Sequence, residues 1–399
     1  MPVKKSLITM ILLVVAIFAV AINMRPAITS IGPMLDVIRE QLMLTNAQVS
    51  LLTALPVICM GLFASLAPAL NRFFGLRTTM YILLLTVGLF TAVRGIYASY
   101  TVLIISSIFI GIAIAIMGPL LSSMIKQNFP DRAASVIGIY SFGMGVGATM
   151  STGLTALLFE KSGSYPLALA SWSLLAIVGI IFWAIAMQNQ LEVKQSGKTT
   201  IFGPRSTTKS PWKVKRAWVF LLFFGLQASA FFSIITWLVP IATSKGMTLL
   251  QAGTLVSVMT IIQIALNILF PLLMERFQAR RFWLFLLLSI GLVAIILLWT
   301  GSSPLMWIGA VLMGIPLGGL FPAALVLPLD ETDTPEQTNA WTAMMQTGGF
   351  IIGGLLPLLI AVLYDWTGNH DFTFLIFALL FLGMLGLTFI IGDKNGNRV

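Results

Sequence analysis

The segment Asn71-Arg72-Phe73-Phe74-Gly75-Leu76-Arg77 is a short basic loop between two long apolar stretches of the chain. A related loop, Glu275-Arg276-Phe277 followed by Arg281, lies between two apolar stretches in the second half. The stretches on either side are continuously apolar, as membrane-spanning helices are. The two loops therefore indicate that one pair of spanning helices, joined by a basic turn, occurs twice.

Two other loops are repeated at nearly the same separation. Leu44-Thr45-Asn46-Ala47-Gln48 resembles Met247-Thr248-Leu249-Leu250-Gln251, and Pro130-Asp131 resembles Pro335-Glu336. The separations of the three pairs differ by no more than two residues, a regularity that chance similarity rarely produces. The sequence therefore predicts two copies of one helical unit, related by an axis along the membrane normal and separated by a cleft.

The composition indicates an integral membrane protein. Of the 399 residues, 58% are hydrophobic and only 9% are charged, whereas a soluble domain carries about 25% charged residues. The apolar stretches do not alternate with polar residues, so they predict helices and not barrel strands. The single cysteine, Cys59, excludes an intrachain disulfide and a cysteine metal cluster.

Twelve apolar stretches have about the 20 residues that a helix needs to cross a bilayer. We predict an all-α membrane protein with two pseudo-symmetric six-helix bundles, residues 1–187 and 217–399, joined by a polar linker at 188–216. The predicted spans are 7–35, 49–70, 78–97, 102–127, 133–159, 165–187, 217–243, 249–273, 282–300, 305–328, 337–363 and 372–392.

The basic residues predict the orientation of the chain. With the N-terminus inside, most of the 23 Lys and Arg residues fall in cytoplasmic segments, and only Arg39, Lys161 and Lys245 fall outside. The positive-inside rule then places both termini in the cytoplasm. Because the basic residues behind the net charge of +10 lie mostly on one side of the membrane, they do not indicate nucleic-acid binding. We expect a monomer that is embedded in the lipid bilayer and binds a small-molecule substrate.

The two sets of six spans, the long central linker and the basic loops after the second and eighth spans resemble the major facilitator superfamily. Its loop signature, roughly G-x-x-x-D-R/K-x-G-R-R/K, survives at 71–77, with Asn71 where Asp is usual. The resemblance implies alternating access between two rocking bundles. The residues then expected at the cytoplasmic gate are Arg72, Arg77, Glu275, Arg276, Asp131 and Arg132.

Two stretches are similar to a narrower family. The stretch 23–33, Asn-Met-Arg-Pro-Ala-Ile-Thr-Ser-Ile-Gly-Pro, is similar to the first span of the cyanate permease family, which also contains a 2-nitroimidazole exporter. The stretch 130–145 resembles the entrance of its fifth span. The resemblance implies a transporter of small polar or anionic molecules. The Arg-x-x-Gln-Gly element of proton-linked drug antiporters is missing at 107–111.

Arg25 lies near the middle of the first predicted span, with no acidic residue close to it in sequence. A guanidinium there costs roughly 2.5–3.5 kcal/mol on insertion scales and cannot lose its proton to escape that cost. One partner would be a backbone carbonyl freed by a kink at Pro26. We expect instead a substrate ligand, because the forked donors suit cyanate, nitrate, nitro or carboxylate groups.

Other polar or aromatic residues within the predicted spans are candidates for the cleft wall. Amides in a membrane usually face protein, where they bond to a neighbouring helix or line a cavity. Besides Arg25, the candidate substrate ligands are Asn23, Tyr140, Gln227, Gln263, Trp237 and Gln346. Arg94, near the outer end of the third span, is expected to snorkel to the interface, with an anion-attracting vestibule as the alternative.

The 13 acidic residues and the one histidine, His370, lie in loops or at the ends of the predicted spans. A membrane core without such groups cannot relay a proton. This favours a facilitator or an exchanger, unless the substrate or a gate residue such as Asp36 or Glu40 carries the proton. No pattern of metal ligands, nucleophile and base predicts an enzyme, and no cofactor is expected.

Two other functions stay open. The first is export of amphiphilic drugs or metabolites, because 20 Met and 27 Phe can form an adaptable apolar wall. The second is a membrane receptor or a channel. The repeated basic loops at the two bundle entrances argue against a receptor or a channel, because they are typical of a protein whose bundles rock and not of a fixed pore.

Overall fold

The computed structural model describes residues 7–129, 133–191, 210–276, 279–332 and 335–392. Those ranges are almost entirely helical and contain no strand. Twelve of their helical segments are long and apolar enough to cross a membrane. The predicted all-α class with twelve spanning helices is therefore confirmed.

The first six spans contain nine α-helices within the described ranges, because the first and sixth spans are interrupted. The helices are α1 (Leu7–Asn23), α2 (Pro26–Thr29), α3 (Leu35–Gln41), α4 (Asn46–Phe63), α5 (Ala67–Val93), α6 (Tyr100–Asn128), α7 (Ala133–Ser162), α8 (Tyr165–Ala170) and α9 (Leu174–Leu191).

Each of the last six spans is a single helix. These are α10 (Lys215–Ser244), α11 (Leu249–Arg276), α12 (Arg280–Thr300), α13 (Ser303–Glu331), α14 (Pro335–Thr367) and α15 (Asp371–Ile391). The face of the molecule where α1 begins and α15 ends is called the terminal face below. The opposite face contains the α3–α4 and α14–α15 connections.

The repeated segments before α4 and α11 form the same local structure. The amide of Gln48 donates to Thr45 Oγ1 at 3.2 Å, and the amide of Thr45 donates to Gln48 Oε1 at 2.9 Å. Thr248 and Gln251 make the same two bonds, at 3.2 and 3.0 Å. Such a capping box satisfies amides that the start of a helix leaves without partners. The shared cap is what a duplicated unit predicts.

The two halves of the chain form two helical bundles. The core of the first half includes Ile17, Met80 and Trp183, and that of the second half includes Phe223, Leu287 and Phe381. The halves meet where α4 packs on α14 and where α7 packs on α11. Because α4 and α11 are repeat-related, as are α7 and α14, the pseudo-twofold axis exchanges the two contacts. The predicted pair of pseudo-symmetric bundles is confirmed.

The basic loop at 71–77 is a turn at which the regular helix is interrupted. Two helical pieces join at Gly75 within α5, where φ is +74°. Glycine adopts this left-handed conformation without strain, so the chain turns there while Thr79 Oγ1 donates to the Gly75 carbonyl at 2.8 Å. The turn at Gly75 lies between the predicted second and third spans, within the loop at 71–77.

Arg94 neither snorkels to the interface nor lines a vestibule, so both readings of the sequence were wrong. Its side chain is fully buried just after α5, where Nε donates to Ser106 Oγ at 2.8 Å and Nη2 donates to Ser107 Oγ at 3.1 Å. Nη1 donates to the carbonyl of Ala27 at 2.7 Å. The interrupted first span supplies this buried acceptor, which the position of Arg94 along its own span does not reveal.

We expect Arg94→Met to lower the stability of the fold, because it removes the donors to Ala27, Ser106 and Ser107. Hydrogen bonds from a charged donor contribute about 1.5–3 kcal/mol each, and the desolvation of the guanidinium offsets part of that gain. The unfolding free energy in detergent should fall by about 2–4 kcal/mol. Lys161→Met, at the end of α7, is the control, and an equal loss in both variants would contradict this role.

Candidate functional site

A cavity lies between the two halves, with ≈ 640 Å³ of empty space that is partly open to solvent. Three helices each present one face to it, through residues spaced three or four apart as positions on one helical face are. The lining residues are Ser141, Met144, Gly145 and Ala148 on α7, Phe224, Gln227, Ala228, Phe231 and Phe232 on α10, Thr260, Gln263, Ile264 and Asn267 on α11, and Arg25, Phe321 and Phe350.

The first span delivers Arg25 to this cavity through a break in the helix. Helix α1 ends at Asn23 and α2 begins at Pro26, so Arg25 lies between them. Its guanidinium carbon is 5.7 Å from the ring centroids of both Phe231 and Phe232. Rings at this distance attract a cation weakly through their electron-rich faces. The contacts therefore orient Arg25 toward the second half of the protein.

The guanidinium of Arg25 keeps unused hydrogen-bonding capacity. Its Nη1 atom is buried and has no hydrogen-bond partner. Within the described part of the chain, no acidic side chain forms an ion pair with Arg25, and no backbone carbonyl accepts from it. The carbonyl of Ala27, beside the break, accepts from Arg94 instead. Arg25 thus lines the cavity and keeps a buried donor without a partner.

The charge of the cavity is positive. Arg25 is the only ionised side chain among the described residues that line it, and the lining includes no Asp, Glu or His. The remaining polar groups are amides and hydroxyls, from Gln227, Gln263, Asn267 and Thr260 among others. An unpaired cation in surroundings of low dielectric interacts strongly with any anion that enters. This arrangement is suited to binding an anionic or strongly polar molecule.

Of the residues singled out in the sequence, Arg25, Gln227 and Gln263 are brought together around the cavity. The phenylalanines that form its apolar wall were missed, although two of them flank Gln227 at helical spacing. Phe231 is one turn beyond it on the same face of α10, and Phe224 is one turn before it. That spacing was the available signal, but phenylalanine is so frequent in apolar spans that it carries little weight alone.

Asn23 and Trp237 do not line the cavity. Asn23 Nδ2 donates to the carbonyl of Ala19 at 2.8 Å, and the same side chain packs against Gly179 of α9. Trp237 Nε1 donates to the carbonyl of Pro357 at 3.1 Å. Neighbouring positions on a helix face different directions, so proximity in sequence to Arg25 did not bring Asn23 to the same surface. Their assignment to the substrate site finds no support in this geometry.

Tyr140 and Gln346 also lie outside the lining. Tyr140 is half-buried on α7, where its hydroxyl lies next to Gly118 of α6, and it is close enough to interact electrostatically with Arg25. Gln346 is half-buried on α14, one turn before Phe350, which does line the cavity. Both are therefore neighbours of the cavity rather than parts of its wall.

The predicted gate residues are only partly described. Arg72 is exposed, and Arg77 is half-buried with its guanidinium carbon 5.9 Å from the ring centroid of Tyr81. Helix α11 ends with Glu275 and Arg276, whose side chains the structure does not describe. Asp131 and Arg132 lie outside the described residues. The gate at the terminal face stays a prediction.

Comparison with known proteins identifies the family. The family described as the Major Facilitator Superfamily matches residues 9–357. The chain belongs to the major facilitator superfamily. As a member, it is a multi-pass membrane transporter of small solutes and not an enzyme. The family expected from the basic loops and the two sets of spans is confirmed.

Individual relatives in the major facilitator superfamily cover nearly the whole transporter. The cyanate transport protein CynX of Escherichia coli (strain K12) is 33% identical over 371 residues, which cover 92% of this chain and 94% of that protein. The 2-nitroimidazole transporter of the same organism is 27% identical over 375 residues, 94% and 93% of the two chains. The narrower resemblance to the cyanate permease family is therefore also confirmed.

The fold is shared with transporters of unrelated sequence. The crystal structure of the nucleoside transporter NupG superimposes with a TM-score of 0.74 at 12% identity, covering 98% of this chain and 100% of that one. At this level of identity the match concerns the major facilitator fold alone.

A carboxylate joins the two halves of this transporter at the opposite face. Asp365, near the end of α14, accepts from the amide and the Nδ2 of Asn46 through Oδ1, at 2.9 and 2.6 Å, and from the amide of Ala47 through Oδ2 at 2.9 Å. The first amides of a helix lack helical partners and form its positive end. The negative charge of Asp365 therefore stabilises the start of α4 and links the two halves at this face.

The contact is asymmetric between the repeats. The position in the first half that corresponds to Asp365 is Glu160, near the end of α7. Within the described residues, no hydrogen bond or ion pair connects Glu160 to the start of α11. Arg39 strengthens the existing contact by donating to Asn46 Oδ1 at 2.9 Å. Only one of the two repeat-related carboxylates thus ties the halves together.

We expect Asp365→Asn to weaken the closure of the opposite face, because a neutral side chain loses its attraction to the helix end. A charge at a helix terminus contributes about 1 kcal/mol, so the open fraction should rise roughly fivefold. Spin labels at Met43→Cys and Trp366→Cys, both exposed beside the contact, in a Cys59→Ser background would report the distance. Glu160→Gln is the matched control, and identical distance distributions for Asp365→Asn and the parent would refute the closing role.

Proposed function

We propose that the protein moves a small polar or anionic solute, of the cyanate, nitrate or nitro-compound kind, across the bacterial cell membrane by alternating access. Arg25 is its central ligand. The observation that carries this proposal is the buried Nη1 of Arg25, which has no partner and lies at a cavity between the halves. Two relatives named for cyanate and for a nitro compound support the same class of solute.

The energetics of the site favour an anion over a neutral apolar solute. An unpaired guanidinium in apolar surroundings is costly, and a planar anionic group can accept two parallel hydrogen bonds from it. The lining contains no acidic side chain that would compete for Arg25 or repel the solute. Binding therefore removes the free-energy penalty of the unpaired donor in the empty site. Removal of such a penalty is the usual physical basis for a strong ligand contact.

The two bundles, residues 1–187 and 217–399 joined by the linker, rock about this cavity. The distribution of basic residues favours the terminal face as the cytoplasmic one. The contact of Asp365 with α4 then closes the outer face, so that the solute exchanges with the cytoplasm in this state. The transporter acts as a monomer and needs no cofactor.

Replacing Arg25 tests the ligand. Arg25→Gln should reduce uptake of labelled cyanate, nitrate or 2-nitroimidazole into proteoliposomes by about tenfold or more, because one charged hydrogen bond contributes about 1.5–3 kcal/mol. Arg25→Lys keeps the charge without the fork, so it should retain an intermediate affinity. Asn23→Leu is the matched control, since Asn23 packs against α9. Uptake of every polar solute at the parental rate in folded Arg25→Gln would end the proposal.

A second function, export of amphiphilic compounds, is favoured by the five phenylalanines and Met144 in the lining. An apolar solute would leave Arg25 without a partner, so its transport should not fall in Arg25→Gln. Transport of hydrophobic cations that is unchanged or improved in that variant, together with no transport of anions, would favour export of amphiphiles.

The transport mode is proposed to be facilitated diffusion or exchange. The lining offers no Asp, Glu or His to carry a proton. His370 lies outside the spans, and burial, assisted by the charges of Lys245 and Arg39, lowers its pKa to about 4. A histidine with this pKa stays neutral above about pH 5 and does not relay protons at neutral pH.

Flux of the solute in proteoliposomes should therefore be the same with and without a pH gradient when the membrane potential is held constant. Strict dependence on the gradient would contradict this mode. The first candidate carrier would then be Asp36, which accepts from Thr243 Oγ1 at 3.5 Å near the opposite face.

A further inference from the structure

The polar groups of the cavity are divided between the two halves of the protein. The cation, Arg25, comes from the first half, whereas the amides of Gln227, Gln263 and Asn267 come from α10 and α11 of the second half. A solute that meets only Arg25 leaves the amides unused. A solute that uses all of these groups must therefore be long enough to reach both halves, and it must carry an anionic group as well as a group that bonds to an amide.

Two of the amides have unsatisfied atoms. Gln227 Oε1 and Asn267 Oδ1 are buried without a hydrogen-bond partner. A buried polar atom in this condition is unfavourable, so a ligand that bonds to it is stabilised. Because an amide can turn to present either its oxygen or its nitrogen, each side chain offers an acceptor or a donor to a ligand. Gln263 and Asn267 are four residues apart, so they present these groups from one face of α11.

Phenyl rings form the apolar wall of the same cavity. The ring centroids of Phe231 and Phe232 are 5.1 Å apart, those of Phe232 and Phe350 are 6.4 Å apart, and those of Phe224 and Phe350 are 5.3 Å apart, all with edge-to-face geometry. Edge-to-face rings accept a further aromatic ring well, because such pairs are favourable beyond the area that they bury. Arg25 lies over two of these rings.

We infer, on the basis of the proposed function, that the preferred solute is a planar heteroaromatic anion with a ring N–H or O–H group. Its anionic group binds Arg25, its ring packs against Phe231, Phe232 and Phe350, and its N–H or O–H group bonds to the amides of Gln227 and Asn267. A triatomic anion satisfies Arg25 alone and leaves the buried oxygens of Gln227 and Asn267 without a partner.

Because the ligand groups are divided between the halves, the ring of the solute should affect its transport as well as its binding. A ligand shifts a conformational equilibrium only by the difference between its affinities for the two states. A solute that reaches both Arg25 and the amides binds more strongly when the halves are close, whereas a short anion bound to Arg25 has no such preference. Heteroaromatic anions should therefore be transported faster than short anions at equal occupancy of the site.

The test uses the full-length protein in detergent and four probes: nitrate, benzoate, imidazole-4-carboxylate and imidazole-4-carboxamide. Calorimetry should give the tightest binding for imidazole-4-carboxylate, by about tenfold over benzoate and more over nitrate, with the neutral carboxamide weakest. Arg25→Gln should weaken all three anions.

Variants of the second half separate the contributions of the amide and the ring. Asn267→Leu should abolish the advantage of imidazole-4-carboxylate over benzoate while leaving benzoate unchanged, and Asn267→Ser serves if the leucine variant does not fold. Phe231→Leu should weaken both ring anions and spare nitrate. The matched control is Phe109→Leu, because Phe109 is exposed on α6 and stacks on Phe90 away from the cavity.

The two ways of failing are distinguishable. If nitrate binds as tightly as the ring anions and still depends on Arg25, the heteroaromatic class is overturned while the anion transporter stands. If Asn267→Leu and Asn267→Ser keep the preference for imidazole-4-carboxylate, the role of the amide is overturned. If no anion depends on Arg25, the proposed function itself fails and the inference falls with it.

Discussion

A guanidinium placed in the apolar interior of a membrane protein must find hydrogen-bond acceptors, and two arginines of this chain meet that constraint in opposite ways. Arg94 donates to two serine hydroxyls and to the carbonyl of Ala27. Arg25, two residues before Ala27, keeps a buried Nη1 without a partner. The same break in the first span is therefore stabilised by one arginine and leaves the other available to a solute.

The break depends on the packing of the first half. A helix that is interrupted within the membrane must satisfy its freed backbone groups internally, since lipid offers no hydrogen bonds. Arg94 lies just after α5 and donates to the carbonyl of Ala27, which is free because the amide of Ile31 bonds to Ile28 instead. This bond stabilises the end of α2. Arg25 directly precedes the same helix and lies over the rings of Phe231 and Phe232.

The contact between the halves has a packed part and a polar part. It relies on two repeat-related helix pairs and, at the opposite face, on a single carboxylate that caps α4 from the other bundle. The helix pairs pack extensively, whereas the carboxylate contact is weak, because it involves a few polar groups near water. In the proposed alternating access, the carboxylate contact is the part that must break before the opposite face opens.

Several features of the fold could be predicted from particular residues. The basic loop at 71–77 and its counterpart around Arg276 indicated a duplicated unit, and Thr45 with Gln48 and Thr248 with Gln251 form the cap that their repetition suggested. These signals are local, because a capping box or a basic turn is specified within four to seven residues. Arg25 was likewise recognisable, since an ionised side chain in an apolar span is costly wherever it points.

Contacts between distant segments could not be predicted in this way. The acceptor for Arg94 lies on another span, the carboxylate that caps α4 comes from the second half, and the amide of Asn23 faces α9 although it is two residues from Arg25. The sequence by itself determined the twelve spans, the two repeated units and the isolated charge, because length, hydropathy and local caps are properties of short segments. Only the tertiary structure decided which side chains share the cavity with Arg25, because helix rotation depends on packing between bundles that lie far apart in the chain.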